Sequence, residues 1–304
     1  MRLFLYEYAT AQPTSVPLPV SVRREGRAMF EAVVEDAGKL EPDIEVLTLP
    51  LTQDSALSTQ DFFGQSDYAL IIAPEFDGIL ERLAREAHKA GCKLLGPLPE
   101  AVRLTADKWE LYQHWKRLRV PTPETWLPPQ LPTEAERYVK KHRYGAGSLG
   151  LGWWQLGEEL GDQHLVQRYV PGVPVSVALL ISPSGKIILL LPAYQLISDD
   201  GKFSYQGGSF ITEQQLRMRV LELAVTAVKG IPGLQGYVGI DAMLGSKENG
   251  SEDVVLEINP RLTTSYLGLR QTTTTNLLKC MIEVVTCDTV VPISWIPAGI
   301  MWTS

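Results

Sequence analysis

The sequence predicts an α/β protein in three parts: an N-terminal open parallel sheet, a small lid, and a C-terminal part of α+β character built on an antiparallel sheet. Three observations carry this. Short apolar runs alternate with helical periodicity through the first third of the chain. Prolines at 121, 123, 128, 129 and 132 then interrupt that pattern, ahead of two strand-like runs that flank Gly145-Ala-Gly-Ser-Leu-Gly-Leu-Gly152. The remainder returns mainly to strands, with a hairpin signal at Ser184-Gly185. The expected limits of the three parts are residues 1–97, 98–170 and 171–304.

Taken in order, residues 3–8 read as a strand and residues 22–40 as a helix with Met29, Val33 and Ala37 on one face. Residues 44–49 and 68–73 read as strands. The second is almost wholly apolar, as a parallel strand covered on both faces should be. A helix over 79–90 stops at Gly91 and leads to a strand at 93–95. The spacing predicts a charged amphipathic helix over 107–119, followed by a stiff proline linker. Strands are expected at 138–142, 165–170, 176–181, 187–191, 237–244 and 253–258, with helices over 213–229 and 267–285.

Composition excludes several classes. Hydrophobic residues make up 45% and charged residues 21% of the chain, which is globular rather than disordered. Lys and Arg number 28 against 35 Asp and Glu, a net charge of −7, so no basic excess exists to meet a nucleic-acid backbone. A local cationic pocket for a small phosphorylated ligand stays open. Cys92, Cys280 and Cys287 match neither a disulfide framework nor a zinc motif. The longest apolar run, near residues 187–191, ends at Pro192, far short of the ~20 residues of a membrane helix. The expectation is a soluble, cytoplasmic protein with no membrane or nucleic-acid partner.

The residues that carry chemistry sit in the last two parts. A glycine-rich loop can expose consecutive N–H groups to phosphate oxygens, although a flexible hairpin tip has the same composition. No Gly-Lys-Ser/Thr follows it, and Trp153-Trp154 stands where a dinucleotide fingerprint would begin its helix. In the extended run ending Glu257-Ile-Asn259, alternate residues share a face, so a carboxylate and an amide oxygen project together. Both suit magnesium, which keeps waters and phosphate oxygens in its shell. Asp241 ends another apolar strand and reaches the same ion if the two strands are antiparallel neighbours. The alternative is that Glu257 is a buried hydrogen-bond acceptor and Asn259-Pro260 a turn. Lys108 follows a helix start at Thr105-Ala-Asp107, where Thr105 or Asp107 can cap. Lys141 ends a strand just before the glycine loop. Either lysine is a solvated charge or a point charge on phosphate.

Together these pieces resemble the ATP-grasp superfamily of carboxylate–amine ligases over most of the chain. Thr105-Ala-Asp-Lys108 with Val120-Pro-Thr-Pro123, Lys141 with Gly145-Ala-Gly-Ser148, Val166-Gln-Arg-Tyr-Val-Pro-Gly172, Gly239-Ile-Asp241 and Glu257-Ile-Asn-Pro-Arg261 occur in the family's order. The resemblance implies the ATP-grasp fold and an ATP-dependent ligase. Lys108 and Lys141 would contact the ATP phosphates, and Gly145, Gly147 and Ser148 would cover them. Gln167 and the backbone of Tyr169 and Val170 would meet adenine. Asp241, Glu257 and Asn259 would bind two Mg²⁺ ions, with Mn²⁺ as a substitute. Arg261 would stabilise an acyl phosphate and the tetrahedral intermediate. Two positions depart from the family pattern. Gln167 stands where many members have Glu, and no acid lies near Pro174-Val175 for the ribose hydroxyls.

A narrower likeness is to the tyramine–L-glutamate ligase branch of methanofuran biosynthesis. Leu5-Tyr-Glu-Tyr-Ala-Thr-Ala11, Ala73-Pro-Glu-Phe-Asp77 and Asn259-Pro-Arg-Leu-Thr-Thr-Ser-Tyr-Leu-Gly-Leu-Arg270 carry it. It implies small carboxylate and amine substrates, with a γ-glutamyl amide of tyramine or a related aromatic amine as product. Dimers are frequent among such enzymes, so a homodimer is allowed. Glu7, Glu75 and Asp77 lie at the expected carboxyl ends of strands, where they either hold an ammonium group or cap turns. Arg270 either meets a substrate carboxylate or is a helix-surface charge. Tyr6, Tyr8, Tyr205 and Tyr266 either line an aromatic pocket or pack the core. Two other readings remain: a different ATP-grasp amino-acid ligase, and a non-catalytic nucleotide-binding regulator.

Overall fold

The structure is a computed structural model and describes residues 1–13, 15–49, 58–145, 150–296 and 301–303. Its N-terminal part runs β1 (Arg2–Glu7), α1 (Tyr8–Ala11), α2 (Val20–Gly38), β2 (Glu45–Thr48), α3 (Thr59–Gln65), β3 (Tyr68–Ile72), α4 (Ile79–Lys89) and β4 (Lys93–Leu94). The strands form a parallel sheet in the order β2-β1-β3-β4. Alternation along β1 sorts its side chains between two cores. Phe4 and Tyr6 join Ile79, Leu83 and Ala87 of α4 on one face. Leu3 and Leu5 join Met29 and Val33 of α2 on the other. α3 begins with a reciprocal capping box between Ser58 and Asp61.

Next come α5 (Pro99–Ala106) and α6 (Lys108–Leu118), then β5 (Thr125–Trp126), β6 (Tyr138–His142), β7 (Gly152–Trp154) and β8 (His164–Arg168). These strands make the lid, an antiparallel sheet in the order β5-β8-β6-β7. The helices α5 and α6, expected within the lid, instead bury Ala101, Leu111 and Trp115 in the core of the C-terminal sheet. Trp115 donates its indole N–H to the Ala227 carbonyl at 2.9 Å. Thr105 does not cap α6. It lies inside α5 and bonds back to the Ala101 carbonyl, while Asp107 accepts from the N–H groups of Trp109 and Glu110.

The C-terminal part contains β9 (Val173–Ile181), β10 (Ile187–Leu189), β11 (Ala193–Ile197), β12 (Tyr205–Phe210), α7 (Gln214–Val228), β13 (Gly236–Leu244), β14 (Val254–Asn259), α8 (Ser265–Leu269), α9 (Leu277–Cys287) and β15 (Met301–Thr303). Its sheet has the order β14-β13-β9-β11-β12-β15, with β10 hairpinned onto β9 as Ser184-Gly185 implied. Among the described residues, no helix is long and apolar enough to cross a membrane.

Several expectations need correction. The helix expected over 267–285 is two helices, α8 and α9. Between them Thr272 and Thr273 spend their hydroxyls on the Leu269 and Ser294 carbonyls, and Asn276 caps α9 by accepting from the Lys279 N–H. The proline linker is not merely a linker, since Thr125 and Trp126 pair with Gln167 and Val166 as an edge of the lid. α3, α5, β7, β11, β12 and β15 escaped the sequence reading because each is short or polar on one face.

The N-terminal sheet is fused to the C-terminal part by a shared core. Leu3, Leu5, Leu70 and Leu95 pack with Ala178, Leu180, Tyr237, Tyr266 and Leu278. At the junction Gly236 has φ +68°, and a Cβ there would lie 2.0 Å from the Leu95 carbonyl oxygen. Beneath it, Asp36 of α2 accepts from Arg270 Nε and Nη2 at 3.0 and 2.7 Å and from the Tyr266 hydroxyl at 2.7 Å. Burial raises the Asp36 carboxyl, but Arg270 and Tyr266 outweigh burial and hold it below its ordinary value. Asp36→Ala strands the Tyr266 phenol and leaves the Arg270 guanidinium with only the exposed Glu35, so denaturant unfolding should show a loss of about 3–5 kcal/mol. Because the folded value lies below the ordinary 3.8, this stabilisation is present above that pH and is lost as pH falls through the folded value. The gap between wild type and variant should therefore close in acid.

Candidate active site

The site lies where the C-terminal sheet, the lid and the N-terminal sheet converge. β13 and β14 are antiparallel, and Asp241 stands directly opposite Glu257. The register shifts just past Asp241, a bulge of the kind that re-aims side chains beside active sites. Asn259, two residues beyond Glu257, donates its amide N–H to Asp241 Oδ2 at 2.9 Å. Asp241 Oδ1 accepts from Gln195 of β11 at 2.7 Å. Gln195 was missed because β11 itself was missed, and its contact reaches across β9 to β13.

Lys108 and Lys141 come to the same place. Lys108, the first residue of α6, reaches Glu257 Oε2 at 3.2 Å and donates to the Gly145 carbonyl at 2.7 Å. Lys141 on β6 interacts electrostatically with Glu257, Asp241 and Lys108, and burial lowers its tendency to stay charged. The two carboxyls respond in opposite directions. Burial and the neighbouring Glu257 charge push Asp241 up. Burial also opposes ionisation of Glu257, but Lys108 and Lys141 override it and pull Glu257 down. Of the two, Asp241 is therefore the easier to protonate and Glu257 the harder.

The lid root is tied to α6 through Asp107. Its carboxylate caps the helix and also accepts from Arg143 Nε and Nη2 at 2.8 and 2.7 Å and from the Tyr144 hydroxyl at 3.0 Å. The Lys108 N–H donates to the Arg143 carbonyl at 3.1 Å. No sequence signal pairs Asp107 with Arg143, because the two meet only across the fold. Gly147 and Ser148, the expected phosphate cover, lie outside the described residues.

The expected adenine residues are less uniform. Gln167 is buried and donates to Thr125 Oγ1 at 3.1 Å. The Tyr169 N–H is given to the Arg137 carbonyl at 2.9 Å. The Tyr169 ring stacks in a group with Trp153, Phe203 and the Arg137 guanidinium, which lies 4.3 Å from the Trp153 centroid. Val170 follows β8 and is half-buried.

On the N-terminal side, Arg261 Nε donates to Glu75 Oε1 at 2.9 Å. Burial disfavours the Arg261 charge, but Glu75, Glu25 and Glu257 more than restore it. Glu25, on α2, had no sequence signal. Glu7 caps α1. Both its oxygens accept from the Ala9 and Thr10 N–H groups, and Gly26 packs so closely that a Cβ would lie 2.3 Å from its oxygen. Arg270 likewise stays out of the site, because its guanidinium is bound by Asp36 and Glu35. Tyr6 and Tyr266 are core residues, and Tyr205 accepts from the Trp302 indole N–H.

The donor set fits magnesium. Two carboxylates and one amide oxygen are hard donors that leave room for phosphate oxygens and water. Among the described residues there is no group of three or more His, Cys, Asp or Glu able to cage an ion alone.

Comparison with known proteins gives consistent relatives. The ATP-grasp domain family matches residues 105–265, and the pre ATP-grasp 3 domain matches residues 33–102. The tyramine–L-glutamate ligase of Methanocaldococcus fervens is 35% identical over 204 residues, covering 67% of this chain and 62% of that protein. The ligase of the same name from Methanocaldococcus jannaschii is 33% identical over 204 residues, covering 67% of this chain and 58% of that protein. The matched part is thus under two thirds of these relatives' own length. A crystal structure of a candidate ATP-grasp superfamily protein from Archaeoglobus fulgidus superposes with TM-score 0.76 at 29% identity, covering 93% of this chain and 88% of that one.

If Asp241 holds a proton until a cation replaces it, titrating Mg²⁺ into the protein with ATP should release protons. Calorimetry in two buffers of different ionisation heat should give different apparent enthalpies, and Mg²⁺ uptake should weaken as pH falls.

Proposed function

The chain belongs to the ATP-grasp family, and on that premise we propose that it is an ATP-dependent carboxylate–amine ligase working through an acyl phosphate. The preferred pair is the γ-carboxylate of glutamate and tyramine or a related aromatic amine, as the names of the two methanogen relatives suggest. The observation that carries the reading is the convergence of Asp241, Glu257, Asn259 and Arg261 of the C-terminal part with Lys108 of α6 and Lys141 of the lid.

Phosphoryl transfer to a carboxylate depends mainly on positioning and on charge stabilisation. Lys108 and Lys141 supply fixed positive charge to the phosphates, exchanging their contacts with Glu257 for the nucleotide. Asp241, Glu257 and Asn259 would hold two Mg²⁺ ions, which neutralise phosphate charge when bound. The Gly145 end of the lid, tethered through Asp107 and Arg143, keeps water from the acyl phosphate. Arg261, oriented by Glu75, meets the oxyanion of the tetrahedral intermediate. The retained charge set argues against a purely regulatory nucleotide-binding role.

Phosphate release should require ATP, Mg²⁺, L-glutamate and an amine together, with tyramine the best of a panel that includes tyrosine, dopamine and amino acids. Mass spectrometry should find the γ-glutamyl amide. Release with a different pair would keep the ligase and replace the substrates. Glu257→Ala should abolish turnover with the fold retained by circular dichroism, and Arg261→Ala should lower kcat by about a hundredfold or more.

A further inference from the structure

A cleft of about 730 Å³ opens between the turn after β3 and the root of the lid. Phe76, Asp77, Tyr144 and Gly145 contribute to its walls, and Glu75 lies at its inner end towards Arg261. Asp77 sits at φ +54°, a conformation that non-glycine residues seldom adopt, and Gly78 follows at φ +63°. Such strain concentrates at ligand sites. Of the acids at this mouth, Glu81 is already paired with Arg85, and Asp77 makes no ion pair among the described residues.

Glu75 links the cleft to the reacting centre. It is 5% exposed. Its Oε1 is committed to Arg261, while Oε2 is buried and has no hydrogen-bond partner among the described residues. A buried carboxylate oxygen in that condition is costly unless a ligand supplies a donor. The missing partner is a hydrogen-bond donor, and the carboxylate's own charge favours a cationic one.

The geometry points to Glu75 as the residue that receives the ammonium group of the amine substrate and removes its proton. This rests on the ligase reading above. The substrate class is a primary alkylammonium bearing an aromatic ring, which Phe76 and Tyr144 flank. Two protons leave the nitrogen. The first passes from R–NH₃⁺ to Glu75 Oε2 and then to solvent. The amine lone pair forms the C–N bond at the acyl carbon, giving a tetrahedral intermediate whose oxyanion faces Arg261. Collapse of that intermediate breaks the C–O bond to phosphate, and the second proton leaves with the departing group as HPO₄²⁻.

Hydroxylamine, largely uncharged at neutral pH, separates the two readings, because it intercepts the acyl phosphate without needing a base. Glu75→Gln keeps an oxygen for Arg261. In this variant tyramine amide formation should fall by about a hundredfold or more, while glutamyl hydroxamate formation falls by less than about tenfold. Equal losses in both reactions overturn the assignment, since Glu75 then acts only by orienting Arg261. Absence of both amide and hydroxamate from the wild type instead overturns the ligase reading, and this assignment with it. A measurement on the wild type covers a variant that does not fold. 2-(4-Hydroxyphenyl)ethanol replaces the ammonium by a hydroxyl and should bind at least about tenfold more weakly than tyramine. Equal binding overturns the proposal.

Discussion

Two carboxylates facing each other across β13 and β14 impose the constraint around which the site is arranged. Asp241 and Glu257 cannot both ionise at that separation without nearby positive charge. The chain meets this with Lys108 and Lys141, delivered from a helix and from a lid strand that lie far apart in sequence. Asp107 makes the delivery reproducible. By capping α6 and gripping Arg143 and Tyr144 it fixes the first residue of the helix against the lid root. The same ion pairs that hold the unliganded site together are those a nucleotide and its cations would exchange. The arrangement is therefore a structural solution and, on the proposed function, a preorganised receptor for phosphate.

The second organising feature is the seam between the N-terminal sheet and the C-terminal part. One face of β1 and β3 belongs to the same apolar core as β9, β13, α8 and α9. Gly236 allows the Leu95 carbonyl to approach the start of β13. Along this seam two arginines nine residues apart in sequence find carboxylates of the N-terminal part, with different consequences. Arg270 is held by Asp36 and Glu35 and fastens α8 to α2. Arg261 is held by one oxygen of Glu75 and stays beside Glu257. The sequence reading put Arg261 at the acyl phosphate and left Arg270 open between a substrate carboxylate and a helix-surface charge, and packing makes Arg270 a clamp.

Much of the architecture was legible because it rests on local patterns. The apolar stretches in β1 and β3, the Ser184-Gly185 hairpin and the periodicity of α2 and α4 report burial directly. The Glu257/Asn259 spacing was legible for the same reason, since a strand places alternate residues on one face whatever its neighbours do. Short elements such as β5 and β15 carry too few residues for a period, and the threonine run ahead of α9 hid a helix break that depends on side-chain hydrogen bonds.

The sequence by itself determined which residues are chemically suited to phosphate and cation binding, and the order in which they occur. It also determined the strand periodicity that puts Glu257 and Asn259 on one side. Tertiary structure alone decided which charges meet. It paired Asp241 with Gln195 and Glu257 with Lys108, turned Glu7 into a helix cap, withdrew Arg270 into a structural clamp and left one oxygen of Glu75 without a donor among the described residues. The physical reason is range. Periodicity and capping act within a few residues, whereas an ion pair depends on distance and burial, which exist only once separate segments have packed together.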